Sequence, residues 1–425
     1  MKSCLGLTYA APLTSVPTGV TSHWGVGVRM RIAVNASIVD EAPTGLGLYA
    51  INVVRELITI LDVSDEVTVF TGYSPAFSDL GVRIVNTGRL ARPSFGRLGG
   101  VYRFLWCQSV LPTLALTQGH DVIYHLTHHG FPYHVPGSPQ VLTIQSDVDA
   151  TFSFPKQHRL QYLYFRYVVP HLIAASAAVI TTSAYALKRL AARYRESAAR
   201  FRFAYNAVDP ELFTPRGVAE DAHTLRTLGL RAQQYILTVN ASYPHKNVET
   251  LLRAFVVAHS ACADLRLCIA GYKRSYLDTL LEAIPQNARA GIVRLEYVPQ
   301  RTLAQLYRGA LCLVITSLHE SFGMPCVEAM ASGCPVIASN ASALPEVCGD
   351  AAMFVAPRDW SHTSELIVEA VKNPASLDPW RKRGIARAAN FSWKHTARAA
   401  YDVLRQVHQV RHREAAGGGT QDLGA

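Results

Sequence analysis

The chain has 425 residues, of which 49% are hydrophobic and 17% are charged, and its formal net charge is +10. This length can bury one or two sizeable cores, so we predict a large globular protein with two domains. The positive charge favours an acidic partner, but no run of Lys and Arg is long enough for a nucleic-acid arm, so we expect no nucleic acid as partner. No segment offers about 20 uninterrupted apolar residues, which excludes a spanning helix.

The eight cysteines form no C-x-x-C pair, and most lie inside apolar strand or helix patterns, as small buried hydrophobic residues do. They indicate a reducing, cytoplasmic location without structural zinc. A peripheral contact with the inner face of the membrane stays open.

The first predicted unit follows an N-terminal stretch, residues 1–29, that is rich in Thr, Ser, Gly and Pro. We interpret this stretch as a disordered extension or as the product of a misassigned start. Residues 30–208 then alternate strand and helix patterns, which predicts a doubly wound parallel sheet. Gly45 and Gly47 lie in the loop PTGLGLY, between the first strand MRIAVNAS and a helix that begins near Tyr49.

A second sheet is predicted over residues 209–390, and one lysine stands out in it. The strand QYILTVN ends in ASYPHKN, which places Lys246 at the carboxyl end of a strand and just before a helix. There its ammonium can join the free N–H groups of the helix in holding a phosphate.

The most informative segment is TSLHESFGMPCVEAMASGCPVIASNASALPE, residues 316–346. It predicts a strand, a loop with Glu320, a helix opened by Pro325 and then a second strand. Glu328 is expected in the first turn of that helix, and Gly323 lets a ligand approach the backbone. Free amides and the positive dipole end of the helix suit a diphosphate, while a loop carboxylate suits sugar hydroxyls.

The run E-S-F-G-M-P-C-V-E, followed by A-M-A-S-G-C-P-V-I-A-S, resembles the C-terminal signature of the retaining glycosyltransferases of family 4, also called group 1. The resemblance implies an α/β protein of the GT-B fold, with two Rossmann-like domains facing a cleft. It also implies that residues 391–411 form a helix that crosses back to the first domain. The Gly-rich residues 412–425 are expected to be a disordered tail.

The same resemblance implies roles for individual residues. Glu320 would contact the donor sugar, Glu328 would hold the ribose hydroxyls, and Lys246 would hold the departing diphosphate. Further donor contacts are expected from Gly45, Gly47, Gln145, Asn240, Tyr297, Val298, Phe322, Gly323 and Met324.

This chain departs from the family pattern at three positions. Relatives carry a His-Asp pair where this chain has Gln145-Ser146-Asp147, so the lost contact comes from Gln145, from His128 or His129, or is dispensable. Ser321 replaces a glycine that many members have. A basic residue that often precedes the equivalent of Lys246 is missing between Asn240 and Ser242.

No cofactor or metal is expected. Asp147-Val148-Asp149 spells D-x-D, which holds a cation in another glycosyltransferase fold, but so short a motif arises easily by chance. The histidines at 125, 128 and 129 have no carboxylate or cysteine at ligand spacing.

The predicted function is therefore transfer of a hexose, with retention, from a nucleotide-sugar donor to a glycan or lipid-linked acceptor in surface-polysaccharide synthesis. Mannose is favoured, with GDP-mannose as first choice of donor and a UDP-hexose as second. Two alternatives remain at this point: a catalytically silent homologue acting as a scaffold in a polysaccharide assembly complex, and an epimerase or phosphorylase of the same fold.

Overall fold

A computed structural model describes residues 29–43, 45–128, 135, 138–146, 163–272 and 274–417. The predictions for residues 1–28, His129, Asp147, Asp149 and residues 418–425 lie outside these ranges. The described part contains two parallel sheets with helices on their faces, so the predicted α/β class is confirmed.

The first sheet has seven short parallel strands, of which the five inner ones are largely buried and the two edge strands are more exposed. They are β1 (Arg31–Ala36), β2 (Glu66–Thr71), β3 (Arg83–Asn86), β4 (Val122–His125), β5 (Gln140–Ile144), β6 (Ala178–Thr181) and β7 (Phe201–Phe203). Their order in the sheet is β3-β2-β1-β4-β5-β6-β7. The helices of this half are α1 (Gly45–Ile60), α2 (Gly96–Thr117), α3 (Val169–Ala175) and α4 (Ala184–Arg193), with shorter turns at 74–77, 89–91, 93–95, 164–168 and 195–200.

The second sheet has six parallel strands in the order β10-β9-β8-β11-β12-β13. They are β8 (Tyr235–Val239), β9 (Arg266–Ala270), β10 (Ile292–Leu295), β11 (Cys312–Ile315), β12 (Val336–Ser339) and β13 (Ala352–Val355). The helices are α5 (Asp221–Thr227), α6 (Val248–Ala261), α7 (Arg274–Glu282), α8 (Gln286–Ala290), α9 (Gln300–Gly309), α10 (Met324–Ala331), α11 (Leu344–Cys348), α12 (Trp360–Lys372) and α13 (Asp378–Ala388), with one-turn helices at 244–246 and 374–377.

The last helix, α14 (Trp393–Gly417), packs on the first sheet although it follows the second one in the chain. Ala400 and Leu404 are fully buried in the same core as Leu57 of α1. The helix continues past residue 411, so the disorder predicted from 412 is wrong for residues 412–417. Just before this extra segment, Arg411 donates a hydrogen bond to the carbonyl of Asp121 at 3.1 Å.

Helix α1 begins at Gly45, four residues earlier than the sequence predicts, so both glycines lie in its first turn rather than in a loop. Gly47 is buried there, and a Cβ on it would approach the Cβ of Pro43 to 3.0 Å. The first turn can pack against residue 43 because position 47 has no side chain. The two glycines of PTGLGLY led to the prediction of a loop because glycine normally marks a turn.

The two sheets meet at their carboxyl edges through backbone and carboxylate contacts. The carbonyl of Ser321, in the loop after β11, accepts hydrogen bonds from the hydroxyls of Ser183 at 2.6 Å and Thr182 at 3.2 Å, just after β6. Glu346 of α11 accepts from the backbone amides of Ala184 and Tyr185, each at 2.8 Å. A carboxylate from one half therefore caps the first turn of α4 in the other half.

We expect Glu346→Ala to loosen the two halves, because two amides of α4 lose their charged acceptor. The free energy of unfolding should fall by about 2 kcal/mol, and the radius of gyration measured by small-angle X-ray scattering should increase. Asp359→Ala is the matched control, since Asp359 caps α12 within the second half. The control should lower stability by about 1 kcal/mol without changing the radius. An equal increase in both variants would contradict this assignment.

Candidate functional site

The predicted residues of the second half gather at the carboxyl edge of its sheet. Lys246 closes the one-turn helix after β8, and Glu320 lies in the loop after β11. Because β8 and β11 are neighbours in the sheet, the two loops lie side by side. The Lys246 ammonium contacts both carboxylate oxygens of Glu320, at 2.8 and 2.9 Å. The pair is largely buried, with side chains only 12% and 11% exposed.

Glu320 is held in place by further hydrogen bonds. The Ser317 hydroxyl donates to its Oε1 at 2.7 Å, and its backbone N–H donates to the hydroxyl of Ser342 at 2.8 Å. Burial tends to raise the pKa of this carboxyl, but the attraction and hydrogen bonds of Lys246 outweigh it, so the pKa is lowered. Glu320 is therefore ionised at neutral pH.

His245 lies beside this ion pair and carries no charge. Burial, and then repulsion from Lys246, lower the pKa of its imidazole to about 4. Its carbonyl accepts a hydrogen bond from the amide of Leu318 at 2.7 Å, which ties the loop after β8 to the loop after β11. The positive charge of this corner thus comes from Lys246.

The start of α10 contributes backbone amides to the same edge. Gly323 precedes the helix with φ at +107°, and Met324 is the first helical residue. A Cβ at position 323 would come within 2.6 Å of the Leu344 side chain, so both its space and its backbone angle require glycine here. In this first turn Pro325 has no N–H, and the Cys326 N–H donates to the Gly323 carbonyl at 2.9 Å. The amides of Gly323 and Met324 are therefore the ones that this helix start offers to an anion.

Glu328 lies in the second turn of α10, not in the first turn as the sequence predicts, because the helix begins at Met324, one residue before Pro325. Its Oε2 accepts a hydrogen bond from the Tyr307 hydroxyl of α9 at 2.9 Å. Burial raises the pKa of Glu328 to about 7, and the hydrogen bond from Tyr307 only partly opposes this. Glu328 is thus a buried carboxyl that titrates near neutrality.

Sequence reasoning missed Tyr307. The residue is fully buried and lies on the apolar face of α9, where the sequence pattern predicts that an aromatic side chain belongs to the hydrophobic core. Its hydroxyl becomes informative only when α10 brings Glu328 against it. A buried tyrosine usually needs a hydrogen-bond partner for its hydroxyl, but this rule does not identify the partner from the sequence.

Four other predicted donor residues lie near the same edge in different settings. Asn240 directly follows β8 in the left-handed conformation, with φ at +64°. Tyr297 is exposed after β10, while Val298 beside it is half-buried against the core. The ring of Phe322 is buried and packs against Tyr205 and Phe391, with ring centroids 6.1 and 5.6 Å away, so this side chain belongs to the core.

On the first half, Gln145 follows β5, and its Oε1 accepts a hydrogen bond from Asn206 at 3.3 Å. The His128 ring is buried 5.2 Å from Phe165, centroid to centroid. His125 is buried between Asn35 and Gln140, and burial lowers the pKa of its ring to about 3, so it is neutral. Of the candidates for the missing family histidine, Gln145 thus follows the carboxyl end of β5, whereas the ring of His128 is buried against Phe165.

The structure brings Lys246 and Glu320 into contact and places Met324 and Glu328 on the adjoining helix, with Gly323 just before it. Gly45, Gly47 and Gln145 lie across the cleft, on the carboxyl edge of the first sheet. Within the described residues, no three or more His, Cys, Asp or Glu side chains form a cluster able to hold a metal. The same residues include no helix that is long and apolar enough to span a bilayer.

Two family models match the chain, one on each half. Residues 43–212 match the model for Glycosyltransferase Family 4, and residues 228–387 match the model for Glycosyl transferases group 1. Among similar proteins, O-antigen chain mannosyltransferase B of Escherichia coli is 28% identical over 86% of this chain and 97% of its own length. O-antigen chain mannosyltransferase RfbU of Salmonella typhimurium is 25% identical over 88% and 97%.

Solved structures share the architecture. HepE of Anabaena, crystallised with UDP and glucose, has a TM-score of 0.65 at 17% identity, over 88% of this chain and 99% of that one. WaaG, a glycosyltransferase involved in lipopolysaccharide biosynthesis, has a TM-score of 0.63 at 14% identity, over 88% and 99%. This likeness confirms the predicted GT-B fold.

Replacing Lys246 should show how strongly the ion pair is coupled. Lys246→Met leaves the Glu320 carboxylate buried without its cation, which should cost 3 to 5 kcal/mol, roughly, in urea unfolding at pH 7. The double variant Lys246→Met/Glu320→Gln should recover part of that loss. Arg55→Met is the control, because it breaks the exposed pair of Arg55 and Asp79, and it should cost much less than Lys246→Met, since exposed pairs contribute little to stability. Equal losses in the single and double variants would show that the pair is not coupled.

Glu328 should make stability depend on pH. Its folded pKa of about 7 lies above the ordinary 4.5, so its contribution is fully present below pH 4.5 and is lost as pH rises through 7. A shift of this size corresponds to roughly 3 kcal/mol. Urea unfolding between pH 5 and 8 should therefore show a steeper fall for the wild type than for Glu328→Gln. Parallel pH curves would refute this, and Glu249→Gln, at an exposed position of α6, is the control.

Proposed function

The chain belongs to the group 1, family 4 glycosyltransferases, and from this premise we propose that it transfers a mannosyl residue, with retention, from GDP-mannose to a glycan or lipid-linked acceptor. The prediction of a glycosyltransferase made from the C-terminal signature is confirmed by the family matches, and the scaffold alternative is not favoured. The further assignment to mannose and to surface-polysaccharide synthesis is supported by the names of the two O-antigen mannosyltransferases. A UDP-hexose is the second candidate donor.

The observation that carries the proposal is the buried pair of Lys246 and Glu320 beside the start of α10. In this proposal the donor diphosphate lies against the Lys246 ammonium and the amides of Gly323 and Met324. Glu320, kept ionised by Lys246, accepts hydrogen bonds from the hydroxyls of the sugar. The Lys246 ammonium thus contacts both the donor diphosphate and the Glu320 carboxylate. This arrangement places the sugar next to its own leaving group.

The reaction then needs no protein nucleophile. The bond between the anomeric carbon and the diphosphate oxygen breaks, and its electron pair stays on the diphosphate. The acceptor hydroxyl forms its bond to the same face of that carbon, and its proton passes to the departing phosphate oxygen. Lys246 and the amides of Gly323 and Met324 stabilise the charge that develops on the leaving group, because they are already oriented toward it.

Glu328 holds the nucleotide side of the donor. Its carboxyl accepts hydrogen bonds from the ribose hydroxyls, and Tyr307 fixes the orientation of the carboxyl. The backbone beside Tyr297 and Val298 contacts the base. Because ribose hydroxyls favour the ionised carboxylate, nucleotide binding lowers the pKa of Glu328 and releases protons near pH 7.

The acceptor approaches from the first half, where Gln145 lies in place of the family histidine. Closure of the two halves around the donor excludes water and so limits hydrolysis. Peripheral contact with the inner face of the membrane would bring a lipid-linked acceptor to this cleft.

Titration calorimetry tests the proposal. The purified protein is titrated with GDP, UDP, GDP-mannose and UDP-glucose in the presence of EDTA. GDP and GDP-mannose should bind most tightly, and Glu328→Ala and Lys246→Ala should each weaken binding by about 100-fold, as loss of a buried charged contact does. Glu249→Ala, on the exposed face of α6, is the control and should bind as the wild type does.

Two outcomes would overturn parts of this proposal. Preference for UDP ligands would replace GDP-mannose by a UDP-hexose while leaving the site intact. Failure of every nucleotide to bind would remove the donor site itself. Retention is tested separately, because proton NMR of the fresh product should show the same anomeric configuration as the donor.

A further inference from the structure

The outward surface of α2 carries a row of large apolar residues, interrupted by the exposed polar residues Ser109, Thr113 and Thr117. Between Leu98 and Thr117 the charged residue is Arg103 alone, and it is buried, with its guanidinium donating to the carbonyl of Ala91 at 2.7 Å. In the apolar row Leu98 is 82% exposed, Val101 59%, Leu105 58% and Leu116 48%, with Tyr102 and Val110 between them. Solvent-facing helices normally carry charged residues on this side.

This surface is not needed for the core. The opposite side of α2 already packs on the first sheet through Trp106, Cys107, Leu111 and Ala115, which share a buried cluster with Phe70. Leu90 and Phe95, in the turns that lead into α2, extend the exposed apolar surface beyond the helix. Contiguous patches of this kind mark a surface that binds another body.

The charge around α2 indicates which kind of body. From Leu80 to His120 the sequence has five arginines and no Asp or Glu, and of these arginines Arg83 and Arg89 are exposed, while Arg103 is buried. Two copies of the chain that met through this surface would bring two basic segments together without an acidic partner. An anionic surface, in contrast, complements both the arginines and the apolar residues.

The start of α2 also lies next to the cleft. The backbone amide of Ser94 donates to Asp40, just after β1, at 2.7 Å, and Arg92 donates to the carbonyl of Gly72, just after β2, at 2.7 Å. Both contacts are at the carboxyl edge of the first sheet. The exposed apolar surface therefore begins at the rim from which the acceptor is proposed to approach and runs away from it.

We propose that α2 is a membrane-docking helix that lies in the interface of an anionic lipid bilayer. Leu98, Val101 and Leu105 enter the apolar layer, while Arg83 and Arg89 contact lipid phosphates. Helix α2 is thereby assigned as the surface that makes the peripheral membrane contact included in the proposed function. It rests on that function only for the statement that a lipid-linked acceptor would then reach the cleft.

Vesicle flotation tests the surface without donor or acceptor. The full-length protein is mixed with vesicles of phosphatidylglycerol and phosphatidylcholine, or of phosphatidylcholine alone. The wild type should float with the anionic vesicles, more weakly at high salt, and little with the neutral ones. Leu98→Gln/Val101→Gln/Leu105→Gln should reduce the partition coefficient by about 30-fold or more, since three exposed apolar side chains are lost.

A matched variant controls for general loss of hydrophobicity. Val63→Gln/Val257→Gln removes two exposed valines that lie outside α2 and should float as the wild type does. All variants alter exposed positions, and thermal unfolding checks that each is folded. Arg83→Gln/Arg89→Gln should weaken binding to anionic vesicles and leave the small binding to neutral vesicles unchanged.

Three results would overturn the inference: no flotation of the wild type, equal flotation of the α2 variant, or a concentration-dependent dimer that the α2 variant abolishes in sedimentation velocity. The last result would assign the surface to a second copy. Because nucleotide binding is measured separately by calorimetry, a failure here leaves the proposed donor site standing, and the reverse also holds.

Discussion

The proposed donor site is organised around one buried ion pair at the carboxyl edge of the second sheet. Lys246 and Glu320 come from loops 74 residues apart in sequence and meet because β8 and β11 are neighbours. Such a pair is expensive to desolvate, so it contributes little to stability unless all of its hydrogen bonds are made. Ser317 makes one of them, and the Lys246 ammonium reaches both oxygens of Glu320. The pair is better explained by the need to fix a cation and an anion at one place than by a gain in stability.

The contacts between the two halves place the same loop against the first sheet. Ser321, next in sequence to Glu320, offers its carbonyl to Ser183 and Thr182, while Glu346 caps α4 from a separate helix. The segment that carries the buried ion pair is thus also a point of contact with the other half. A relative movement of the halves would act directly on Glu320, because residues 320 and 321 share one short loop. This connection offers a physical route by which closing of the cleft and orientation of the sugar-binding carboxylate could be coupled.

Sequence alone predicted the fold class because the strands are short, buried apolar runs that alternate with helices and because the segment around Glu320 is distinctive. It also singled out Lys246 and Glu320 from their positions after strands. It did not predict that Lys246 and Glu320 would be in contact, since local sequence patterns do not determine which strands of a parallel sheet are neighbours. The start of α10 at Met324 is one residue earlier than predicted and puts Glu328 in the second turn, and the start of α1 at Gly45 turned a predicted loop into helix. The role of Tyr307 could not be predicted for a similar reason: its partner, Glu328, is determined by the packing of α9 against α10.

Glu320 and Glu328 show how the environment divides two identical side chains between two tasks. Both are buried, yet the pKa of Glu320 is lowered because Lys246 is at hydrogen-bond distance, and the pKa of Glu328 is raised to about 7 because burial meets only the neutral hydroxyl of Tyr307. At neutral pH the pair of Lys246 and Glu320 is electrically balanced, His245 is neutral, and Glu328 is charged in only part of the molecules. An incoming diphosphate therefore meets an ion pair with no net charge and a Glu328 carboxyl that is only partly ionised. If Glu328 had the pKa of an exposed carboxyl, it would add a full negative charge beside the start of α10 before the ligand arrives. Its burial keeps that repulsion small while leaving a strong acceptor available once the ribose hydroxyls are in place.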